Sequence, residues 1–178
     1  EDKKLTGEQA VKKIESLIKH LRPILEDYFD MISNDQIFIK RTKDIGIISK
    51  ELVQESGGSG PVSRGSGINF DLRKNKPYEC YKEFNFDIPI GKNGDAYDRT
   101  LVRMKENVQS LRIVEQIIEG VPSGELSTRK PLKSAKLTRP PKGSSYFSVE
   151  SPRGELGFFI VSDGSSIPYR MKIRAPSF

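Results

Sequence analysis

The stretch DAYDRTLVRMKENVQSLRIVEQIIEG, residues 95–120, decides the fold. Leu101, Met104, Val108, Leu111, Val114 and Ile118 recur at the spacing of one helical face, and Gly120 is a natural stop. The pattern predicts a long amphipathic helix whose apolar side needs a partner. Upstream, TGEQAVKKIESLIKHLRPILEDYFDMIS supplies one. It opens with the capping-box pair Thr6 and Gln9, and it places Val11, Ile14, Leu17, Ile18, Leu21, Leu25, Tyr28, Phe29 and Ile32 along one stripe. Pro23 removes a backbone donor inside that pattern, which predicts a kink near residues 19–23 or two helices end to end, with Asn34 as the stop. Two such helices imply helix-on-helix packing.

Between them the chain changes character. A short apolar piece, IFIK, leads to RTKDIGIISKELVQES, where Ser49 is placed to cap a brief helix over residues 50–55. GGSGPVSRGSG, residues 57–67, holds five glycines and a proline and is expected to lie outside regular structure, in a loop long enough to serve a purpose. FNFDIPIG alternates Phe84, Phe86 and Ile88 with Asn85 and Asp87, the pattern of a strand that Pro89 confines to an edge or ends. Beyond the long helix, Lys130, Lys133, Lys136, Arg139 and Lys142 among Pro, Gly and Ser predict an extended basic connection. Three short strands are expected near SYFSVE, ELGFFIVSD and PYRMKIR, the last two joined through DGSS. The fold class is therefore α+β in one domain over residues 1–178. Residues 1–56 are helical, 57–94 are the Gly-rich loop and strand, 95–120 the long helix, 121–144 the basic connection and 145–178 the β-rich end.

Composition narrows the function classes. In 178 residues, 30 Lys plus Arg against 24 Asp plus Glu give a net charge of +6, which suits nucleic acid, acidic lipid or an acidic neighbouring subunit. The single cysteine, Cys80, excludes an internal disulfide, cannot alone build a zinc or iron–sulfur site, and points to a reducing compartment. No apolar run is long enough to cross a bilayer, and EDKKLTGEQ lacks a signal-peptide pattern, so the expectation is a soluble or surface-associated chain. His20 is the only histidine, no G-x-S-x-G elbow is present, and the Gly-rich loop has no following Lys-Ser or Lys-Thr pair. Glu150 and Glu155 flank a tight corner as an acid–base pair would, but Arg153 between them is placed to neutralise one. Self-contained catalysis is not expected.

The strings RTKDIGIIS, GPVSRGSGINFDLRK, PYECYKEFNFDIPIGKNGDAYDRTLVRMKENVQSLRIVEQ and ESPRGELGFFIVSDGSSIPYRMKIRAPSF carry a resemblance. In order and spacing they resemble the D-type (49-kDa-type) quinone-site subunit of respiratory complex I, NADH:quinone oxidoreductase, a family related to the large subunits of nickel–iron hydrogenases. The resemblance implies a hydrogenase-like helical bundle carrying a small antiparallel β element. It also implies a partial chain, since family members are substantially longer. Their N-terminal sheet supplies the tyrosine and histidine that meet the quinone headgroup, and they close with an aspartate-containing stretch ending in V-D-R. His20 does not match that histidine, and Cys80 matches neither hydrogenase C-x-x-C pair, so no metal or cluster ligand is expected on this chain.

The same resemblance assigns residues. The E-x-P-R-G corner is implied to face the subunit that holds the terminal iron–sulfur cluster, with Arg153, and Glu150 beside it, as candidate neighbours of that cluster. A cation there would stabilise the reduced cluster, because the added electron is a negative charge in a low-dielectric site. The structural reading is that Arg153 bridges Glu150 or Glu155 and braces the corner. The loop GPVSRGSG departs from the family string by placing Ser63 where Leu is usual, and LVQESGGSG before it is also unusual. Arg64 and Arg73 are expected to order this loop and its contacts with neighbouring subunits. Arg170 and Arg174 fall on one strand face, a candidate partner surface or internal ion-pair layer.

The implied whole is a fragment of a proton-translocating NADH:quinone oxidoreductase that helps form the quinone cavity and docks the cluster-bearing subunit. It is expected to be inactive alone and to bind no cofactor itself, the quinone and the partner-held cluster belonging to the full complex. Its partners are other peripheral-arm subunits. The membrane is reached only through them, at the cytoplasmic face of a bacterial inner membrane or the matrix side of a mitochondrial one. A hydrogenase- or formate-linked membrane complex is the nearest alternative. A basic interaction module using residues 129–142, binding nucleic acid or anionic lipid, is the reading from another class.

Overall fold

A computed structural model describes residues 7–121 and 139–176. Six α-helices precede three strands: α1 Gly7–Asn34, α2 Gln36–Thr42, α3 Lys50–Ser56, α4 Pro61–Gly65, α5 Leu72–Asn75, α6 Ala96–Gly120, β1 Gly143–Ser151, β2 Gly154–Ser162 and β3 Arg170–Arg174. The fold is α+β, as the two periodicities require. Thr6 of the capping box and Lys130, Lys133 and Lys136 of the basic connection lie outside the described residues.

Helix α6 is started by Asp95, which is fully buried. One carboxylate oxygen accepts the Asp98 amide at 2.7 Å as a helix cap, and the other accepts the Asp44 amide at 2.9 Å, so a single side chain starts the helix and ties down the loop after α2. Helix α1 packs along α6, held by an Arg22–Glu115 ion pair and by the Tyr97 hydroxyl on the Ser33 carbonyl at 3.1 Å. Pro23 does not divide α1, which runs unbroken to Asn34. Both Pro23 and Lys19 are exposed, so the helix carries its proline on the solvent side. The apolar piece IFIK belongs to α2, whose cap Asp35 accepts from Ile37 and Phe38, and Ser49 caps α3 as expected.

Two expectations are corrected. Residues 57–67 are not wholly irregular: Pro61 begins the short helix α4, with Gly60 before it at φ +66. Proline suits a first helical position because its missing N–H has no partner there in any case. The second concerns FNFDIPIG, which is extended but pairs with no strand among the described residues. Its backbone bonds go instead to glutamines of α6. The Asn85 amide donates to Gln116 Oε1 and its carbonyl accepts from Gln116 Nε2, both at 2.8 Å, while the Asp87 amide donates to Gln109 Oε1 at 2.9 Å. The alternation still reports the side chains correctly, for Phe86 is buried, with the Arg73 guanidinium 4.9 Å and the Lys74 ammonium 4.3 Å from its ring centroid.

The strands form an antiparallel sheet in the order β1-β2-β3. Glu150 lies opposite Glu155, and Phe158 opposite Ile173. Ile18, Val53, Leu72, Phe86, Val102 and Ile113 are the buried apolar residues among those described, a thin core for so long a chain. Arg64, Asp71 and Asp95 are buried as deeply as any of them.

Candidate functional site

The loop between α3 and α5 buries one arginine, Arg64. Helix α4 is only five residues long, but it is pinned from several sides. The Gly91 amide donates to the Arg64 carbonyl at 2.8 Å, and Ser66 Oγ donates to the Ile48 carbonyl at 2.7 Å. The Arg64 guanidinium, 1% exposed as a residue, then reaches three acids, one on α6, one on β1 and one capping α5. Nε donates to Glu106 of α6 at 2.5 Å, and Nη1 donates to Glu150 of β1 at 2.9 Å and to the Phe70 carbonyl at 3.0 Å, with Asp71 at 3.5 Å. Arg73 grips Asp71 with both arms of its fork, at 3.0 and 2.7 Å. Glu150 also accepts the Leu72 amide at 3.2 Å, and its own amide donates to the Tyr78 hydroxyl at 3.1 Å.

Two guanidinium groups therefore face three carboxylates, an excess of one negative charge if all are ionised. The cluster responds at Glu106, where burial pushes the carboxyl above its ordinary range and Arg64 only partly offsets the push. Burial works against the charge of Arg73, but the bond and charge of Asp71 outweigh it and hold the guanidinium above its usual value. No buried side-chain nitrogen or oxygen among the described residues is left without a hydrogen bond. A cavity of 460 Å³ opens beside the cluster, lined by Arg64, Arg73, Arg103, Glu106, Glu150 and Pro152, among others.

The β1–β2 corner is seated on the Gly-rich loop by backbone contact. A Cβ on Gly60 would lie 2.4 Å from the Gly154 Cα, and one on Gly154 would lie 2.5 Å from Ser59 Oγ. Beyond the contact, Arg174 donates to the Gly57 carbonyl at 2.6 Å and to the Glu155 carbonyl at 2.7 Å, and its guanidinium lies 3.6 Å from the Glu155 carboxylate. Tyr146 donates to that carboxylate at 2.8 Å, and burial together with this bond pushes its phenol up.

This corrects the structural reading of the corner. Arg153 braces neither acid: Glu150 is taken by Arg64 and Glu155 by Arg174, which leaves Arg153 exposed at the turn with no ion pair among the described residues. Arg64 and Arg73 both join the buried cluster, Arg174 lies in an internal ion pair, and Arg170 is exposed. His20 and Cys80 are exposed, and neither bonds to the cluster. Sequence reasoning misses Glu106 and Asp71. Glu106 carries a signal, because Val102, Glu106, Gln109, Ile113 and Gln116 repeat at intervals of four and three and mark a second face of α6, turned to the loop and the extended segment.

A thin apolar core, a buried arginine–carboxylate cluster and a glycine-seated corner that presents a free arginine define a class. They describe an α+β module in which charge pairing and backbone contact hold one corner in fixed relation to the long helix. The chain belongs to the respiratory-chain NADH dehydrogenase 49 kDa subunit family, whose model matches residues 4–178. It is 43% identical over 167 residues to the second D-type subunit of the NADH-quinone oxidoreductase of Solibacter usitatus, covering 94% of this chain and 44% of that one. It is 48% identical over 161 residues to the D-type subunit of the NADH-quinone oxidoreductase of Desulfotalea psychrophila, covering 90% of this chain and 42% of that one. A chain in the structure of the membrane-bound sulfane sulfur reductase, an archaeal respiratory membrane complex, matches with a TM-score of 0.88 at 36% identity, covering 98% of this chain and 48% of the other. The chain thus spans a little under half the length of these relatives. No helix among the described residues is long and apolar enough to cross a membrane.

Proposed function

We propose that this chain is part of the quinone-reducing subunit of a proton-translocating NADH:quinone oxidoreductase, where it helps wall the quinone cavity and docks the subunit carrying the terminal iron–sulfur cluster. The observation that carries the reading is Arg153. It stands uncommitted on a corner that Gly60 and Gly154 lock in place, in a chain whose relatives are named for quinone reduction. The partner's cluster would deliver electrons to the quinone one at a time. The contribution of this chain is electrostatic and positional: Arg153 offsets the negative charge of the added electron, and the Arg64 cluster keeps loop, helix and hairpin in fixed relation. Alone, the chain is expected to be inactive. Its place is peripheral, on the cytoplasmic or matrix face, reaching the membrane through other subunits.

The likeness to the sulfane sulfur reductase complex keeps a hydrogenase-like complex as the second reading, because the same fold serves there in another respiratory assembly. The basic-module reading rests on residues 129–142, most of which lie outside the described residues. Arg153→Met in the complete enzyme tests the first reading. The expected result is a lower midpoint potential of the terminal cluster and slower NADH:quinone turnover, with NADH oxidation by an artificial acceptor preserved. An unchanged potential in a normally assembled enzyme overturns it.

A further inference from the structure

Helices α1 and α6 run antiparallel, pinned by the Arg22–Glu115 pair and, further along, by Tyr97 on the Ser33 carbonyl. Between the two pins lies a groove of 640 Å³. Leu25 and Phe29 of α1, Val108 of α6 and Pro89 of the extended segment give it apolar walls. It shares no lining residue with the 460 Å³ cavity beside the arginine–carboxylate cluster.

The charge along this groove is opposite to that of the chain. The net charge is +6, yet residues 23–34 hold Glu26, Asp27 and Asp30 and neither lysine nor arginine. Glu26 and Asp30 line the groove, are exposed, and have no ion pair among the described residues. The arginines nearby are engaged elsewhere, Arg22 by Glu115 and Arg112 by Asp87, the groove's third acid, at 3.1 Å. Lys105 is the one cation among the lining residues, so one of the two free acids stays unanswered.

The walls also limit the form of an occupant. Backbone groups inside α1 and α6 bond within their own helices, and the Asn85 and Asp87 amides are taken by Gln116 and Gln109. An extended segment laid here would find few partners for its backbone, whereas a helix brings its hydrogen bonds with it. A third helix laid against two antiparallel ones is ordinary bundle packing. We propose that the groove between α1 and α6 docks an amphipathic helix of a neighbouring protein, with its apolar residues against Leu25, Phe29 and Val108 and a lysine or arginine against Glu26 and Asp30. A protein neighbour suits a chain whose relatives are subunits of an assembled enzyme. The proposal goes beyond the corner that carries Arg153 and does not depend on it.

The test places the photo-cross-linker p-benzoylphenylalanine at Lys105 in the complete enzyme, since Lys105 lines the groove and is exposed. Irradiation is expected to join it to a peptide of another subunit, one with apolar residues at helical spacing and a lysine or arginine among them. Glu26→Lys or Asp30→Lys in the same background should cut the yield severalfold and Asp30→Asn should cut it less, with the differences shrinking as salt rises. Glu15→Lys makes an equal charge change on α1 at a residue that does not line the groove, and should leave the yield unchanged. A cross-link within the same polypeptide, to a second copy, or to lipid or quinone overturns the proposal, as does none at all. These outcomes are read with Glu26 and Asp30 intact, so they hold even where a charge-reversed enzyme fails to assemble. A cross-link to another subunit that ignores both reversals overturns it too, because the acids are what select a cationic helix. The effect of Arg153→Met on the terminal cluster is measured separately, so failure here leaves the reading of the corner standing.

Discussion

Arg64 bonds carboxylates 42 and 86 residues away in sequence, and each would be a buried, unpaired charge without it. Removing one partner of a buried ion pair costs about 3–5 kcal/mol, so Arg64→Met should bring a loss of that size, read as a drop in the urea midpoint of the chain. Arg64→Lys should recover little, because a point charge cannot serve Glu106 and Glu150 from one planar fork. Glu106 gives a test with a sign. Its native carboxyl is raised above the ordinary value by burial, so the neutral form is favoured on folding. Its contribution is present in full below the unfolded pKa and is lost as pH rises through the higher folded one. Glu106→Gln holds the neutral form at every pH. The stability of the variant relative to the parent should therefore climb as pH rises across that window and level off above it. A difference constant with pH would show that the carboxyl is not raised.

The elements differ in how far the sequence reveals them. Helices α1 and α6 are legible because each repeats apolar residues over many turns, and the three strands because turn residues punctuate short alternating runs. Helix α4 is hidden by its glycines, whose freedom argues against a helix until Pro61 and the buried Arg64 supply the reasons for one. The segment around Phe86 looks like a strand because side-chain alternation reports which residues face inward, not what bonds the backbone. Here helix side chains do that. Gln116→Ala removes both bonds to Asn85, and at about 0.5–1.5 kcal/mol each the loss should be modest globally but decisive locally. Hydrogen exchange at the Asn85 amide should accelerate sharply while amides inside α6 stay protected. The corner is more brittle. Gly60→Ala meets the Gly154 backbone at 2.4 Å and sits at φ +66, so it should loosen the hairpin from the loop and destabilise the chain by more than the roughly 1–3 kcal/mol of backbone strain alone. Gly57→Ala, also at positive φ but with no atom within 4 Å of the new Cβ, should cost only the strain.

At the scale of the molecule, the charge cluster and the thin apolar core together imply a chain that is held in shape but not closed. Ile167 is 74% exposed and Tyr169 76% exposed ahead of β3, and Met171 and Ile173 on β3 are exposed as well. Phe147 on β1 and Phe158 on β2 lie in register with Ile173 and continue that exposed sheet face, while Ile14 and Leu17 on α1 add uncovered apolar surface on the helix. β3 is also an edge strand, its far side unpaired among the described residues. Apolar surface drives association, and the net charge of +6 opposes it at low ionic strength. Salt decides between them, because it screens the charge within a Debye length of about 8 Å at physiological strength and leaves the apolar attraction intact. The isolated chain should therefore be monomeric when dilute in low salt and should associate as salt and concentration rise. Met171→Lys on the exposed edge should push that onset to higher salt. Sedimentation velocity over a concentration series provides the measurement. An assembly that dissociates with added salt would mean that ion pairs hold the copies together, and a monomer under every condition would mean that the exposed β3 surface does not drive association.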